Sequence, residues 1–292
     1  MKHEWIASPR KTVELLEQHQ LAPKKSLGQN FLVDRNFLDK IVAAAELDET
    51  KGALEIGPGI GALTQVLAQT AKKVAAVEID GRLVPILQDM FRDRDNVRIV
   101  HGDALEVNFP SLFADWFADV PEVSVTANLP YYVTTPIIMK LLESQLPLAH
   151  IVVMVQKEVA GRMAALPGTK DYGSLSIAVQ YFAETKVITN VPRTVFIPRP
   201  NVDSAIIRLT RRKTPPVRVL SEPFLFAVVQ ASFARRRKTI WNNLRQFADQ
   251  LPHDELLTVL KSCNIDASRR GETLSLAEFA ALSDALWNRL HK

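Results

Sequence analysis

Apolar residues follow two different spacings along the first two thirds of the chain. Short continuous apolar runs predict buried strands, and apolar positions that recur every three or four residues predict amphipathic helices. The predicted strands cover residues 53–56, 73–79, 97–100, 123–127, 151–155, 185–191 and 204–209. The predicted helices cover residues 35–45, 62–70, 82–91, 136–142 and 157–165. Asp34 is the expected N-cap of the first helix.

The order of these elements decides the fold class. Strands that alternate with helices form βαβ units, which place neighbouring strands parallel in one sheet. The strands are short and almost entirely apolar, which is typical of a parallel sheet that is covered on both faces. The last two strands follow one another without a helix, so they are expected to pair at a sheet edge. The sequence therefore predicts an α/β fold.

Three regions are predicted from the order of segments. Residues 1–22 read as a peripheral helical extension, and residues 23–213 contain the alternating strands and helices. Thr214-Pro215-Pro216 is a credible linker because prolines interrupt regular structure. Beyond it, residues 224–290 show helical spacing alone, so residues 214–292 are predicted to form a small all-α domain.

The composition excludes several classes of protein. Hydrophobic residues make up 47% and charged residues 23%, which is ordinary for a soluble globular protein. The sequence contains no apolar run of the roughly 18 residues needed for a membrane span. The first residues lack the apolar core of a signal peptide, so a cytoplasmic location is expected. Cys263 is the single cysteine and the six histidines lack ligand spacing, so neither a disulfide framework nor a metal site is predicted.

Positive charge is small in total but clustered. The net charge is +4, and basic residues group at 24–25, 211–213, 235–238 and 269–270. One such cluster is as readily a solvated face as a binding site. Several together favour a polyanionic partner, but they do not choose between RNA, DNA and a membrane surface.

A glycine-rich segment joins the first predicted strand to the next helix. Gly57, Gly59 and Gly61 allow a tight turn and close approach of a ligand, although a turn without a ligand has the same pattern. Glu78 ends the second strand about 20 residues later, where a carboxylate can accept from both ribose hydroxyls. Asp103 follows the third strand and could accept from an adenine amino group. These positions favour a nucleoside ligand, with a nicotinamide dinucleotide and S-adenosylmethionine both open.

Asn128-Leu129-Pro130-Tyr131 follows the fourth strand, beside the predicted nucleoside crevice. Adenine N6 is a poor nucleophile because its lone pair is delocalised into the ring. Two acceptors, the Asn128 side-chain oxygen and the Leu129 carbonyl, would favour the tetrahedral geometry needed to attack a methylsulfonium. Pro130 stiffens the turn, and Tyr131 can stack on the base. In this order after the glycines and carboxylates, the motif indicates N6 methylation rather than an ordinary strand-end turn.

Phe196 is a candidate second stacking face. Core packing is the usual role of a lone phenylalanine, but the prolines that follow indicate a rigid exposed loop. A base held between Tyr131 and Phe196 would have to be unpaired or flipped out of a helix.

From about Lys24 to Leu286 the chain resembles the 16S ribosomal RNA adenine dimethyltransferases (KsgA type). The resemblance rests on an ordered set of motifs: Gly28-Gln29-Asn30-Phe31-Leu32, Glu55-Ile56-Gly57-Pro58-Gly59, Val77-Glu78-Ile79-Asp80, Gly102-Asp103-Ala104, Asn128-Leu129-Pro130-Tyr131, Gln156-Lys157-Glu158-Val159, Tyr172-Gly173-Ser174-Leu175-Ser176 and Val202-Asp203-Ser204-Ala205.

The resemblance implies a Rossmann-like S-adenosylmethionine-dependent methyltransferase sheet, a small C-terminal all-α domain and no metal. It implies that the cofactor, with S-adenosylhomocysteine as product, contacts Gln29, Asn30, Leu32, Gly57, Gly59, Glu78, Ile79, Asp103, Ala104 and Asn128. The implied catalytic residues are Asn128, Leu129, Pro130, Tyr131 and Phe196. The implied substrate is a pair of adjacent adenosines near the 3′ end of 16S rRNA, each methylated twice, in an immature small ribosomal subunit. A monomer is expected.

A basic segment in the helical tail is the predicted RNA contact. Arg235, Arg236, Arg237 and Lys238 are expected to span about one helical turn, so that some of their charges meet phosphates. The tail, together with Leu129 where a sister family more often has Ile, favours the small-subunit enzymes. That sister family methylates 23S rRNA and confers macrolide resistance. Two further alternatives stay open: an RNA-binding checkpoint of ribosome assembly, and a nicotinamide-dependent oxidoreductase, in which the Asn128–Tyr131 motif has no role.

Overall fold

The computed structural model describes residues 5–130 and 132–291 of the chain. Its strands are β1 (Phe31–Leu32), β2 (Gly52–Ile56), β3 (Lys73–Glu78), β4 (Val97–His101), β5 (Val123–Asn128), β6 (Leu148–Gln156), β7 (Ala183–Val191), β8 (Phe196–Ile197) and β9 (Ser204–Arg211). Its helices are α1 (Pro9–Gln18), α2 (Arg35–Ala44), α3 (Ala62–Thr70), α4 (Val84–Met90), α5 (Phe109–Trp116), α6 (Thr134–Glu143), α7 (Lys157–Met163), α8 (Ser174–Phe182), α9 (Glu222–Phe233), α10 (Ile240–Phe247), α11 (His253–Ser262) and α12 (Leu276–Leu290).

The main sheet has the strand order β4-β3-β2-β5-β6-β9-β7. The strands from β4 to β6 run parallel, and β9 lies antiparallel to β6. The predicted α/β fold is confirmed, with the two late strands at one edge. The chain leaves β2 towards β3 on one side and returns to β5 on the other. Because ligands bind where the strand order reverses, the carboxyl ends of β2 and β5 are the expected site.

The chain divides into two compact units, each with its own core. The first contains the residues up to Ala160 and Glu184–Arg211, and it holds the main sheet. The second contains Gly161–Ala183 and the residues from Arg212 onward. Residues 161–183, which the sequence-based division joined to the sheet domain, pack with α9–α12 because Ile177 and Tyr181 of α8 enter the same apolar cluster as those helices.

Residues 5–22 are not peripheral. Ile6, Ala7, Leu15 and Leu16 are buried in the core of the first unit. The main-chain N–H of Ile6 also donates to Gln65 Oε1 on α3 at 3.0 Å. The expected peripheral position was wrong, because these four side chains pack in a core whose other members are distant in sequence.

Local signals predicted several helix boundaries. Asp34 caps α2 by accepting from the main-chain N–H of Asn36 at 2.9 Å, as predicted. Helix α3 has the predicted bounds. Helices α5 and α8 and the short strands β1 and β8 were not predicted. Within the described residues, no helix combines the length and apolar character that a membrane span needs.

Candidate active site

A crevice lies at the carboxyl ends of β2–β5 in the first unit. Its wall contains the glycine-rich turn, the ends of three neighbouring strands, and the segment that crosses from residue 27 to residue 32. The sequence-predicted residues found in its lining are Gln29, Asn30, Leu32, Gly57, Gly59, Glu78, Ile79, Asp103, Ala104, Asn128, Leu129, Pro130 and Phe196. Residues up to 167 positions apart in sequence are thus brought to one crevice, Gln29 and Phe196 being the outermost.

The glycine-rich turn requires glycine for steric reasons. Gly59 has φ +58°, and a Cβ at this position would lie 3.0 Å from the ring of Phe31. Gly57 and Gly61 also have positive φ angles, which L side chains rarely adopt. At Gly57 and Gly59 the turn therefore presents main chain without a side chain to the crevice. Gly61 leads directly into α3.

Glu78 connects the end of β3 to this turn. Its Oε2 accepts from the main-chain N–H of Gly59 at 3.1 Å, and its Oε1 accepts from that of Asp80 at 2.7 Å. The side chain is almost fully buried, and this burial raises the pKa of the carboxyl. A carboxylate has about four acceptor positions, so two hydrogen bonds leave capacity for ribose hydroxyls.

Asp103 begins a tight turn after β4. Its Oδ1 accepts from the main-chain N–H of Leu105 at 2.8 Å. Its other oxygen, Oδ2, takes no hydrogen bond from the described part of the chain. Ile79 also lines the crevice and is 46% exposed, so an apolar surface and a carboxylate acceptor are available together. This combination suits the ring and the amino group of an adenine.

Asn128 is oriented by a main-chain contact. Its Nδ2 donates to the carbonyl oxygen of Asn30 at 3.0 Å. The Asn30 side chain in turn donates to the carbonyl of Gly28 at 2.9 Å, which fixes the crossing segment. Because its nitrogen is engaged, the Asn128 amide presents its oxygen as an acceptor. This is the polarity that the predicted N6 chemistry requires.

The rest of the motif forms the connection to α6. Leu129 is buried, and the Pro130 carbonyl accepts from the N–H of Val133 and the hydroxyl of Thr134 at the start of the helix. A Cβ on Gly28 would lie 3.2 Å from Pro130 Cβ, so the crossing segment packs directly on the motif. Tyr131 lies outside the described residues, and its stacking role stays a prediction, as does that of the Leu129 carbonyl.

Two aromatic residues differ from the sequence-based expectation. Phe196 is only 3% exposed, because β8 pairs with β1 and sets Phe196 opposite Leu32. The exposed-loop expectation was therefore wrong for Phe196, although Pro198 and Arg199 beyond it are exposed. Phe196 still lines the crevice, and stacking on a substrate base stays a prediction. Tyr132, which the sequence reasoning missed, lines the crevice and is 60% exposed.

Asp80 was named in the sequence only as part of the Val77–Asp80 motif, and its contacts were not predicted. Its side chain is buried and accepts from Arg82 Nη2 at 2.7 Å, Gln29 Nε2 at 3.0 Å and Lys24 Nζ at 3.2 Å. These donors, Arg82 first, hold the pKa of Asp80 far below its ordinary value. Gln29 Oε1 also accepts from the Lys24 main chain at 2.7 Å. The Gln29 amide thus fastens residues 24–29 to β3, and a direct cofactor contact by it stays a prediction.

Glu55 is a buried carboxyl in the wall of the crevice. Burial raises its pKa to about 8, despite a 2.6 Å hydrogen bond that it accepts from the Thr64 hydroxyl. Near neutral pH, Glu55 is therefore largely protonated, whereas Asp80 is ionised. Among residues 5–130 and 132–291, no group of three or more His, Cys, Asp or Glu side chains is positioned to hold a metal.

The basic segment lies in the second unit and is not helical. Helix α9 ends at Phe233, and residues 235–238 form an exposed turn in which the Lys238 N–H donates to the Arg235 carbonyl. Asn243 Nδ2 donates to the carbonyls of Ser232 and Arg235, and the chain turns here instead of continuing the helix. The expected helical turn was wrong. All four side chains are exposed, and their contact with RNA phosphates stays a prediction.

Comparison with known proteins agrees with this geometry. The family model described as ribosomal RNA adenine dimethylase matches residues 21–282. The ribosomal RNA small subunit methyltransferase A of Geobacillus sp. (strain WCH70) is 58% identical over 96% of this chain and 97% of its own length. Its namesake from Bacillus licheniformis is 57% identical over 96% and 97%.

Two solved structures share the fold over most of the chain. A dimethyladenosine transferase from Plasmodium falciparum has a TM-score of 0.72 and 29% identity, covering 86% of this chain and 95% of its own. The 23S rRNA methyltransferase ErmE has a TM-score of 0.66 and 27% identity, covering 88% and 99%. By its sequence, its fold and its crevice, this chain belongs to the ribosomal RNA adenine dimethylase family.

Proposed function

We propose that this chain dimethylates N6 of adenosine in 16S rRNA of the small ribosomal subunit, with S-adenosylmethionine as methyl donor. The observation that carries the proposal is the Asn128 amide, whose nitrogen is engaged by Asn30 and whose oxygen is left as an acceptor beside a nucleoside crevice. The family and the relatives named small subunit methyltransferase A support the choice of acceptor.

The residues of the crevice fit the parts of the donor. The main chain of the glycine-rich turn can approach it closely, Glu78 can accept from the ribose, and Asp103 Oδ2 can accept from the adenine amino group. Ile79 offers an apolar surface to the adenine ring. When bound, S-adenosylmethionine supplies an electrophilic methyl group. Expected contacts of Asn30, Leu32 and Ala104 with the donor belong to the same proposal.

Catalysis by the protein consists of orientation rather than proton abstraction. Asn128 Oδ1 and the Leu129 carbonyl accept the two N–H groups of the target amine, which directs its lone pair towards the methyl group. Tyr131 and Phe196 would hold the base. No strong base is required, because the methylated nitrogen is cationic and loses its proton easily.

The proposed acceptor is two adjacent adenosines near the 3′ end of 16S rRNA in an immature small subunit, in the cytoplasm, approached by a monomeric enzyme. Arg235, Arg236, Arg237 and Lys238 form an exposed cationic turn that suits phosphates. The likeness to ErmE keeps 23S rRNA as the second candidate. The identity of 58% to a small-subunit enzyme, against 27% to ErmE, favours 16S rRNA.

Transfer of labelled methyl groups tests the proposal. The wild-type protein and Asn128→Ala are each incubated with labelled S-adenosylmethionine and one of three acceptors. The acceptors are small subunits lacking the modification, large subunits and duplex DNA. Label on small subunits alone, lost in the variant, is expected. Label on large subunits would reassign the chain to the 23S enzymes. Subunit binding without label would instead favour the assembly checkpoint.

A further inference from the structure

One ammonium group holds three main-chain carbonyls of a single turn beside the crevice. Lys140 Nζ donates to the oxygens of Ala104 at 3.1 Å, Leu105 at 2.7 Å and Val107 at 3.2 Å. The turn begins at Asp103. Lys140 belongs to α6, the helix that starts three residues after the Asn128–Tyr131 motif. The contact therefore connects the turn with the helix that follows the Asn128–Tyr131 motif.

The N–H groups of residues 105–107 are satisfied within the turn. Asp103 accepts from Leu105 through Oδ1, and its carbonyl accepts from Glu106 at 2.9 Å and Val107 at 2.8 Å. A Cβ on Gly102 would lie 2.7 Å from Val107 Cγ2, so the turn closes tightly on itself. Its carbonyls at 104 and 105 accept from the Lys140 ammonium group, and the carbonyl at 107 accepts both from that group and from the main-chain N–H of Phe109 at 3.0 Å.

Lys140 is itself held in place. Its Nζ lies 5.0 Å from the centroid of the Phe109 ring, which is buried at the start of α5. Hydrogen bonds from a charged donor are stronger than those between neutral groups, and the ring adds attraction for the cation. The ammonium position is thus fixed by three carbonyls and one aromatic face.

We propose that Lys140 is a positioning residue for recognition of the adenine amino group of the cofactor. By fixing the carbonyls of the turn, it keeps Asp103 Oδ2 where an amino group can donate to it. This inference rests on the proposed function, because it takes the crevice ligand to be an S-adenosyl compound. It predicts a defect in affinity that depends on the amino group, which a general structural role would not produce.

Calorimetry with two ligands tests the inference. S-Adenosylhomocysteine is compared with its 6-deamino analogue, in which purine replaces adenine. Lys140→Met is expected to lower the affinity for S-adenosylhomocysteine by about tenfold or more, which is the effect of losing a hydrogen bond to a charged group. The analogue has no amino group to donate to Asp103, so the variant's affinity for it is expected to fall by no more than about threefold. Lys140→Arg keeps a multiple donor and is expected to recover most of the affinity.

A matched control uses Lys51, which precedes the amino end of β2, opposite to the end at the crevice. Lys51 Nζ donates to the Glu46 carbonyl at 2.9 Å, and Lys51 does not line the crevice. Lys51→Met is expected to bind both ligands as wild type does. If Lys140→Met does not fold, Lys140→Gln, which retains a shorter donor, is expected to give an intermediate ratio of the two affinities.

The outcomes separate this inference from the proposed function. The role of Lys140 is overturned if Lys140→Met lowers the affinity for both ligands equally, or if it leaves the affinity for S-adenosylhomocysteine unchanged. Failure of the wild-type protein to bind S-adenosylhomocysteine overturns the proposed function instead.

Discussion

The side-chain Nδ2 of Asn128 lies 3.0 Å from the main-chain oxygen of Asn30, 98 residues earlier in the chain. This contact joins the end of β5 to the segment that crosses the crevice. It also decides which end of the Asn128 amide is available to a substrate. The orientation of the Asn128 amide and the position of the crossing segment therefore depend on the same hydrogen bond.

Replacing Asn128 tests both parts of this feature. Asn128→Ala removes the N6 acceptor and is expected to lower the rate of methyl transfer by about 100-fold or more. Asn128→Asp keeps an acceptor but has no N–H for the Asn30 carbonyl, so it is expected to be similarly slow. Single-turnover transfer with saturating S-adenosylmethionine measures both. An aspartate variant with wild-type turnover would show that the contact with Asn30 is dispensable.

Asp80→Asn tests the attachment of residues 24–29 to β3. The variant loses the carboxylate that binds Lys24 and Arg82, and we expect the free energy of unfolding to fall by about 1–3 kcal/mol, since both partners stay partly solvated. S-Adenosylhomocysteine affinity is expected to weaken because the crossing segment is released. Urea unfolding and calorimetry measure the two effects.

The control for Asp80 is Asp119→Asn. Asp119 also meets two lysines, Lys72 and Lys73, but it is half exposed and does not line the crevice, so little change is expected. The pKa of Asp80 is depressed in the folded state, so its stabilising effect is present above the ordinary carboxyl pKa of about 4. The difference between wild type and Asp80→Asn should shrink as the pH falls below that value. A difference that grows on acidification would contradict the ion-pair account.

Glu55→Gln tests the buried carboxyl under the glycine-rich turn. Because burial raises the pKa of Glu55 to about 8, the folded state holds a proton that the unfolded chain, with a pKa of about 4.3, loses more easily. The contribution of Glu55 to stability is thus full at low pH and declines as the pH rises from about 4 to 8. The glutamine variant should lack this decline. Unfolding by urea at pH 5 and pH 8.5 provides the comparison, and parallel pH dependences of the two proteins would refute it.

Replacing Arg235, Arg236, Arg237 and Lys238 by serine tests the RNA contact. Small-subunit affinity is expected to fall, and the slope of log affinity against log salt to decrease by roughly 0.7 for each lost phosphate contact. S-Adenosylhomocysteine binding should be unchanged. A control variant with serine at Lys72 and Lys73 removes a basic pair elsewhere and should retain the wild-type salt dependence. An unaltered slope in the four-residue variant would exclude this turn as the contact.

The elements that the sequence predicted well are those set by local signals. Helix α3 follows Gly61, and α2 follows the N-cap Asp34, so short-range chemistry fixes both starts. Glu78 and Asp103 were placed at the crevice because strand ends of a parallel sheet share an edge. For such residues the fold class and the order of motifs suffice.

The elements that it missed depend on contacts distant in sequence. Arginine and lysine are good helix formers, so residues 235–238 read as helix. In the structure these residues form a turn, in which Asn243 donates to the carbonyls of Ser232 and Arg235. The contacts of Asp80 could not be predicted because Gln29, which donates to it, is 51 residues away in sequence. Burial of Phe196 likewise requires the pairing of β8 with β1.

The most direct measurement is nucleoside analysis of methylated subunits. Small subunits lacking the modification are incubated with the protein and S-adenosylmethionine, and the RNA is digested and analysed by mass spectrometry. The proposed function predicts N6,N6-dimethyladenosine at two adjacent positions near the 3′ end of 16S rRNA, none with Asn128→Ala, and none in large subunits treated in the same way. Dimethyladenosine in 23S rRNA, or none in either RNA while S-adenosylmethionine is bound, would contradict it.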